Sequence, residues 1–267
     1  MINANMADKT FLMITYLSPT NDSYIVCIAE YRYSKLSGLC RYKMLELTTP
    51  IQFIDDGVNA MEITAVAAWL NTTFADFDLA VMVAVHKLYE LADWFFSPLL
   101  ETITFLGNGG ICLIIFSLFL MFFRKTRRFG TAMLLGIIIG ALFTNVWLKV
   151  VVARPRPYSN EGSIMHQIWL IMGQHMESDK SFPSGHTTSA FACMTPLFFS
   201  KKKSVAISAF VFAFLMGVSR IYIAVHYPSD VLAGMLVGFI AGCIGALIAS
   251  KLPEKWYKLD FKKNKNA

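Results

Sequence analysis

The sequence predicts an all-α, polytopic bundle of membrane-spanning helices, and three observations predict it. Of 267 residues, 55% are apolar and only 16% are charged, where a soluble domain carries about 25% charge. The mean hydropathy is +0.51 and the chain holds 22 Phe, more hydrocarbon than the polar surface of a water-soluble sphere of this size can cover. The apolar residues are also gathered into runs of hydrocarbon length separated by short basic clusters, which is how membrane proteins record their orientation. Together these count against a soluble globular enzyme. They also give the net charge of +6 a different meaning from nucleic-acid binding.

Residues 1–76 come first and contain no convincing span. FLMITYL at 11–17 is too short for the core of a signal peptide. YIVCIAEYRY reads as a strand, and 58–70 reads as a short amphipathic helix. Residues 1–78 carry five Lys/Arg against nine Asp/Glu, net −4, which leaves +10 for the rest. This segment is read as an N-terminal extension on the cytoplasmic side, of no assigned role. A membrane domain over 77–250 and a basic cytoplasmic tail over 251–267 follow, with the Lys/Asn-rich run 262–266 as the one low-complexity stretch.

Five spans follow in order, at about 99–123, 130–151, 186–200, 204–222 and 230–249. A bilayer core takes about 20 apolar helical residues. The third is short by that measure because Lys201–Lys203 stop it, so it crosses only if its N-terminal end continues into a polar pocket lined by protein. A sixth segment, 77–96, carries His86, Lys87, Glu90 and Asp93 and reads equally as a span or as an interfacial amphipathic helix. Arg124–Arg128, Lys201–Lys203 and Lys251–Lys265 fall on one face, which the positive-inside rule makes cytoplasmic. The alternate loops, 152–185 and 223–229, are then outside. Lys149, Arg154, Arg156 and Arg220 lie at that outer end against the rule, and a bound anion is the natural reason.

The five cysteines show no CxxC or Cys/His ligand spacing, so neither a disulfide framework nor a zinc site is expected. Chemistry concentrates instead in KVVVARPRP at 149–157, SFPSGHTTSA at 181–190 and SRIYIAVHYPSD at 219–230. A charged side chain at mid-span costs about 2.5–3.5 kcal/mol on insertion scales, so such residues are expected to meet around a ligand. Lys149 ends a helix that Pro155 and Pro157 stop, and Arg156 follows seven residues later, two cations suited to one anion. Arg154 and Arg156 taken alone also read as an interfacial collar. Ser184 stands as N-cap of the helix beginning near His186, leaving the amides around Gly185 and His186 as an anion cradle at a positive helix end. His226 and Asp230 stand at i and i+4, neighbours on a helix face if that turn is helical, and Asp230 is also placed to cap the last span. A carboxylate on one imidazole nitrogen leaves the other as a nucleophilic lone pair. Arg220 adds a third cation.

Taken in order, the three segments resemble the type 2 phosphatidic acid phosphatase (PAP2) superfamily, whose signature reads KxxxxxxRP, PSGH and SRxxxxxHxxxD. Lys149–Pro157, Pro183–His186 and Ser219–Asp230 match it without departure. The resemblance implies an integral membrane phosphatase acting on lipid phosphomonoesters or diphosphates at the extracytoplasmic face. Undecaprenyl diphosphate, phosphatidic acid and phosphatidylglycerophosphate are the substrates in view. It implies His226 as the nucleophile that forms a phosphohistidine, Asp230 as its orienting carboxylate, and His186 as the acid that protonates the leaving oxygen and then activates water. Lys149, Arg156, Ser184, the Gly185 amide and Arg220 are implied to hold the phosphate oxygens. No metal, cofactor or nucleic-acid partner is implied, and no oligomeric state. His166 and His175 read as surface histidines, Thr144 and Asn145 as packing residues, and IWLIM at 168–172 as an apolar stretch dipping into the interface beside the lipid's entrance. Two other readings stand beside this one: an enzyme like the vanadate-dependent haloperoxidases, which share the pocket but are soluble, and a non-catalytic module that binds or transports anionic lipid. The histidines and Asp230 separate the last from a phosphatase, since binding alone needs only the cations.

Overall fold

The computed structural model describes residues 10–17, 25–33, 40–47 and 63–258. The chain forms two units, Met1–Ala60 and Met61–Ala267. The first unit holds β1 (Thr10–Leu17), β2 (Ile25–Tyr33) and β3 (Cys40–Leu47), paired antiparallel in the order β1-β2-β3 with Thr10 opposite Arg32 and Tyr33 opposite Cys40. The strand expected at YIVCIAEYRY is therefore β2, and FLMITYL lies in β1. These strands depart from the all-α expectation, which holds for the described residues of the second unit. The Lys/Asn-rich run 262–266 lies outside the described residues.

The second unit opens with α1 (Ala65–Thr73), where Thr64 accepts from the Ala67 amide and so caps the first turn. Of the helix expected over 58–70, residues 58–62 lie outside the described residues. Next come α2 (Ala75–Gly107) and α3 (Ile111–Phe122), separated by Gly109 and Gly110 at φ of 58° and 69°, a left-handed turn that glycine adopts without strain. Residues 75–122 form one apolar run of 48 residues, far more than one crossing needs. Non-helical backbone at Ala92 divides it. Asp78 bonds Ser229 at one end of the bundle, and Ser97 bonds the Tyr222 hydroxyl at that same end. The segment between them therefore lies along that end of the bundle, and residues 93–122 run its length over the stretch expected at 99–123.

The second crossing is α4 (Arg127–Ala141), a π-helical stretch over Leu142–Leu148, and the short α5 (Lys149–Val152). The helix ends where the prolines predict, with Ala153 in a left-handed conformation. After α6 (Ile164–Ile171) come α7 (Gly185–Phe198), α8 (Lys203–Tyr222), α9 (Pro228–Lys251) and α10 (Glu254–Lys258). Four helical segments among the described residues are long and apolar enough to cross a membrane. The third expected crossing, 186–200, is α7, whose 14 residues extend only about 21 Å. It is also the most enclosed, packed against α4, α8 and α9, so lipid-length hydrocarbon is not demanded of it.

Close approach between helices holds this bundle together. A Cβ on Gly238 of α9 would stand 2.4 Å from the Thr188 carbonyl oxygen of α7, and one on Gly245 would stand 2.5 Å from that of Ala132 in α4. Small residues of this kind let backbones meet where no aqueous hydrophobic effect drives helices together. Large apolar side chains such as Phe119, Val146, Val150 and Leu236 point outward on the crossing helices, the reverse of a soluble core. At the end carrying the basic clusters, buried Arg127 donates to the carbonyls of Met121 and Tyr257, tying the end of α3 to α10. The motif residues all gather at the opposite end.

Candidate active site

The first motif is aimed by irregular backbone. One wide π-turn before Lys149 shifts the helical register, a device that recurs where a side chain must be re-aimed. Lys149 Nζ then reaches the mouth of α7, and a Cβ added at Gly185 would sit 3.5 Å from it. A side chain at position 185 would therefore occupy the space between that cation and the amides of the first turn. Ser184 is the N-cap residue, as expected, but its side chain does not cap. Its hydroxyl accepts from Thr187 Oγ1 at 2.9 Å, and the first-turn amides keep no intrahelical acceptor.

His226 lies in the turn between α8 and α9, fully buried. Arg156 Nη1 donates to the Val225 carbonyl at 2.8 Å and stands 3.1 Å from His226 Nε2. A guanidinium only donates, so Nε2 carries the lone pair and the ring proton is on Nδ1. Burial first, then the charges of Arg156, Arg220 and Lys149, push the His226 imidazole well below its ordinary range, which keeps it neutral and nucleophilic. Asp230 Oδ2 lies 3.7 Å from Nδ1, beyond hydrogen-bond length. The helix-face relation expected for His226 and Asp230 is not what joins them. The helix begins only at Pro228, and Asp230, in its first turn, accepts from the Tyr227 amide at 3.1 Å, so the two meet across a helix cap.

The three cations all end on carboxylate oxygens from the loop before α7. Lys149 and Arg156 both pair with Asp179, and Arg220 pairs with Glu177. Burial raises the Asp179 carboxyl, but the hydrogen bond and charge of Lys149 and the charge of Arg156 outweigh it and hold it below the usual carboxylate range. Among the described residues, Arg220 Nε and His226 Nδ1 are buried without a hydrogen-bond partner. An orphaned buried donor costs about 1–3 kcal/mol, and an oxyanion entering the cluster supplies an acceptor. His186 opens α7, and its Cδ2 would come within 2.9 Å of a Cβ on Gly107 of α2, so that glycine makes room for the ring. Lys149, Arg156, Ser184, Gly185, His186, Arg220, His226 and Asp230 are thus brought to one end of the bundle.

Several neighbours escaped sequence reasoning. Arg154, ambiguous there, is fully buried and joins two carboxylates, Asp230 at 2.6 Å and Asp78 at 2.9 Å. Ser181 donates to Asp230, and Asn71 of α1 accepts from Arg154 Nε at 2.8 Å. Asp78 had a signal available, a carboxylate beside a long apolar run, but Asp179 and Glu177 sit in an ordinary polar loop. Elsewhere, Thr144 donates to Thr188 at 3.3 Å, as a packing residue would. His166 Nδ1 donates to the Tyr158 carbonyl at 2.6 Å and the residue is half-buried, whereas His175 is exposed. The 168–172 run is divided: Ile168, Trp169 and Met172 are buried, Trp169 stacking on Tyr158 at 4.7 Å, while Leu170 and Ile171 face outward. No group of three His, Cys, Asp or Glu side chains among the described residues is placed to hold a metal ion.

The model of the PAP2 superfamily matches residues 128–254. Phosphatidylglycerophosphatase B of Bacillus subtilis is 32% identical over 204 residues, covering 72% of this chain and 82% of that protein. Undecaprenyl-diphosphatase of Sulfolobus acidocaldarius is 29% identical over 136 residues, 51% of this chain, and the match spans 63% of that protein's length. Among solved structures, a transmembrane PAP2-type phosphatidylglycerolphosphate phosphatase from Bacillus subtilis aligns with a TM-score of 0.49 at 29% identity, covering 70% of this chain and 92% of that one.

Proposed function

Since this chain belongs to the PAP2 superfamily of membrane lipid phosphatases, and is a multi-pass membrane protein, we propose that it hydrolyses lipid phosphomonoesters or diphosphates through a phosphohistidine on His226. Phosphatidylglycerophosphate, undecaprenyl diphosphate and phosphatidic acid are the substrate types in view. One observation carries the reading: the neutral His226 Nε2 lies 3.1 Å from Arg156, in a cluster where Lys149, Arg156 and Arg220 all converge on oxyanions.

In the proposed reaction the substrate phosphate takes the place of the Asp179 and Glu177 carboxylates on those cations, with the Gly185 amide and Ser184 completing the cradle. His226 Nε2 attacks phosphorus in line as the bond to the leaving oxygen breaks, and His186 gives that oxygen a proton. The imidazolium so formed keeps its Nδ1 proton, and Asp230 stabilises it. His186, now neutral, takes a proton from water, whose oxygen attacks phosphorus. The N–P bond breaks, phosphate leaves, and the lone pair returns to Nε2. The fixed cations balance the charge of the phosphoryl group, work that a metal ion does in many phosphotransfer enzymes. That the active end faces away from the basic clusters supports, through the positive-inside rule, a reaction at the outer leaflet.

Purified protein in detergent, assayed for phosphate release from a panel of lipid phosphates, tests this. His226→Ala should lose essentially all turnover, while Lys149→Ala should chiefly weaken phosphate binding. Brief reaction with labelled substrate should yield an acid-labile, base-stable phosphoprotein. Turnover by His226→Ala, or a lasting absence of phosphoprotein under trapping conditions, sinks the covalent route.

A further inference from the structure

The orienting carboxylate of the proposed reaction is itself held by a buried unit of Arg154 and Ser229, at positions the first and third motifs leave unspecified, and Asp78, outside all three. Arg154 Nη1 donates to Asp230 Oδ1 at 2.6 Å and to Ser229 Oγ at 2.8 Å, while Nη2 donates to Asp78 Oδ2 at 2.9 Å. Asp78 also accepts from the Ser229 amide and from the Ser229 hydroxyl, both at 2.7 Å. Arg154 and Asp78 are each 1% exposed and Asp230 is fully buried. The Arg154 guanidinium lies 3.8 Å over the Tyr227 ring, immediately beside His226 in sequence. One cation thus stands between two carboxylates in a dry environment, reaching from the start of α2 to the start of α9.

The charges make this more than a brace. A buried Arg154 paired with Asp230 alone would cancel the carboxylate, leaving nothing to stabilise a cationic His226. With Asp78 on the other side of the guanidinium and both carboxylates ionised, the three groups carry a net charge of −1. Resting on the phosphohistidine reading, we propose that Arg154 and Asp78 are positioning residues for catalysis: Arg154 fixes Asp230, and Asp78 offsets the charge of Arg154 so that Asp230 stays effective toward His226. His226 also faces Arg156, Lys149, Arg220 and His186 from the neighbouring elements. All of these are unchanged when Asp78 is replaced, so a shift seen on that replacement belongs to Asp78.

The test separates charge from geometry in the full-length protein, with phosphatidic acid in mixed micelles as the substrate. Asp78→Asn keeps the size and removes the charge. Its kcat should fall by about 10- to 100-fold, the range typical when an orienting outer partner is lost, with KM near the parent value. The acid limb of kcat/KM should move to lower pH, because losing a nearby negative charge makes His226 harder to protonate. Arg154→Lys keeps the charge but cannot fork between two carboxylates, so kcat should fall while the acid limb stays in place. Parent kcat in Asp78→Asn, a loss carried wholly by KM, or an unmoved acid limb overturns the proposal. If Asp78→Asn is recovered unfolded, Arg154→Lys decides, and parent kcat there overturns it. His226→Ala assayed in parallel distinguishes the two levels. Turnover in His226→Ala defeats the phosphohistidine reading itself, whereas an inactive His226→Ala beside an unaffected Asp78→Asn defeats only the role of the clamp.

Discussion

Replacing Asp179 by asparagine should make this protein bind phosphate more tightly. The Asp179 carboxylate pairs with both Lys149 and Arg156, the cations proposed to hold the substrate phosphate. Its side chain is 47% exposed while those of Lys149 and Arg156 are 9% and 5% exposed, so the pairs are neither free surface contacts nor fully dry ones. Exposed pairs are worth about 0.2–1 kcal/mol, and hydrogen bonds to charged groups about 1.5–3 kcal/mol. An intermediate value of about 1–2 kcal/mol converts to a KM lower by about 5- to 30-fold, since 1.4 kcal/mol is tenfold. The inhibition constants of inorganic phosphate and vanadate should fall by the same factor, because they use the same cations, while kcat changes little. The sign with pH follows from the depressed carboxyl of Asp179. The group is ionised, and competes, throughout pH 6–8. The advantage of the variant shrinks only as acid drives pH down through the native value, below the unperturbed 3.9 or so. Initial rates of phosphate release against lipid mole fraction measure the effect. An unchanged KM would show that Asp179 does not compete, and a raised one would show that it helps to hold the substrate.

Three further outcomes are expected. EDTA should leave the rate intact and vanadate should inhibit, through the five-coordinate shape it shares with the transition state; activity lost in EDTA and restored by magnesium would contradict a site balanced by protein cations. Cysteine placed at Ser159 should react with an impermeant thiol reagent on intact cells and one at Ser200 should not, measured against the parent chain; the opposite pattern would put the active end in the cytoplasm. Gly238→Val should abolish accumulation of folded protein or lower its Tm in detergent, because even a Cβ there meets the Thr188 carbonyl oxygen at 2.4 Å; a variant as stable as the parent would mean that α7 and α9 can separate at little cost.

Most of the crossings and the polar residues of the candidate site were legible in the sequence for one physical reason. Hydrocarbon makes polar groups expensive, so those that remain, such as Lys149, Arg156, His186, Arg220, His226 and Asp230, stand out against their surroundings. Helix ends were legible on equally local grounds, since prolines stop α5 at Val152 and a basic run separates α7 from α8. What joins His226 to Asp230 was not legible, because spacing alone does not say whether the helix starts before or after the histidine. Nor was the course of 77–96 along one end of the bundle, which depends on Asp78 and Ser97 finding partners there. The widest gap concerns the carboxylates. Asp78 meets Arg154 across 76 positions of sequence, and Asp179 meets Lys149 across 30. An acid in a polar loop or at a helix start looks like any solvated acid until packing brings a cation to it. Composition and periodicity determined which residues must leave water and roughly where the chain crosses. Which charge neutralises which was decided only by the tertiary structure, because Coulomb's law depends on distance in space and not on separation along the chain.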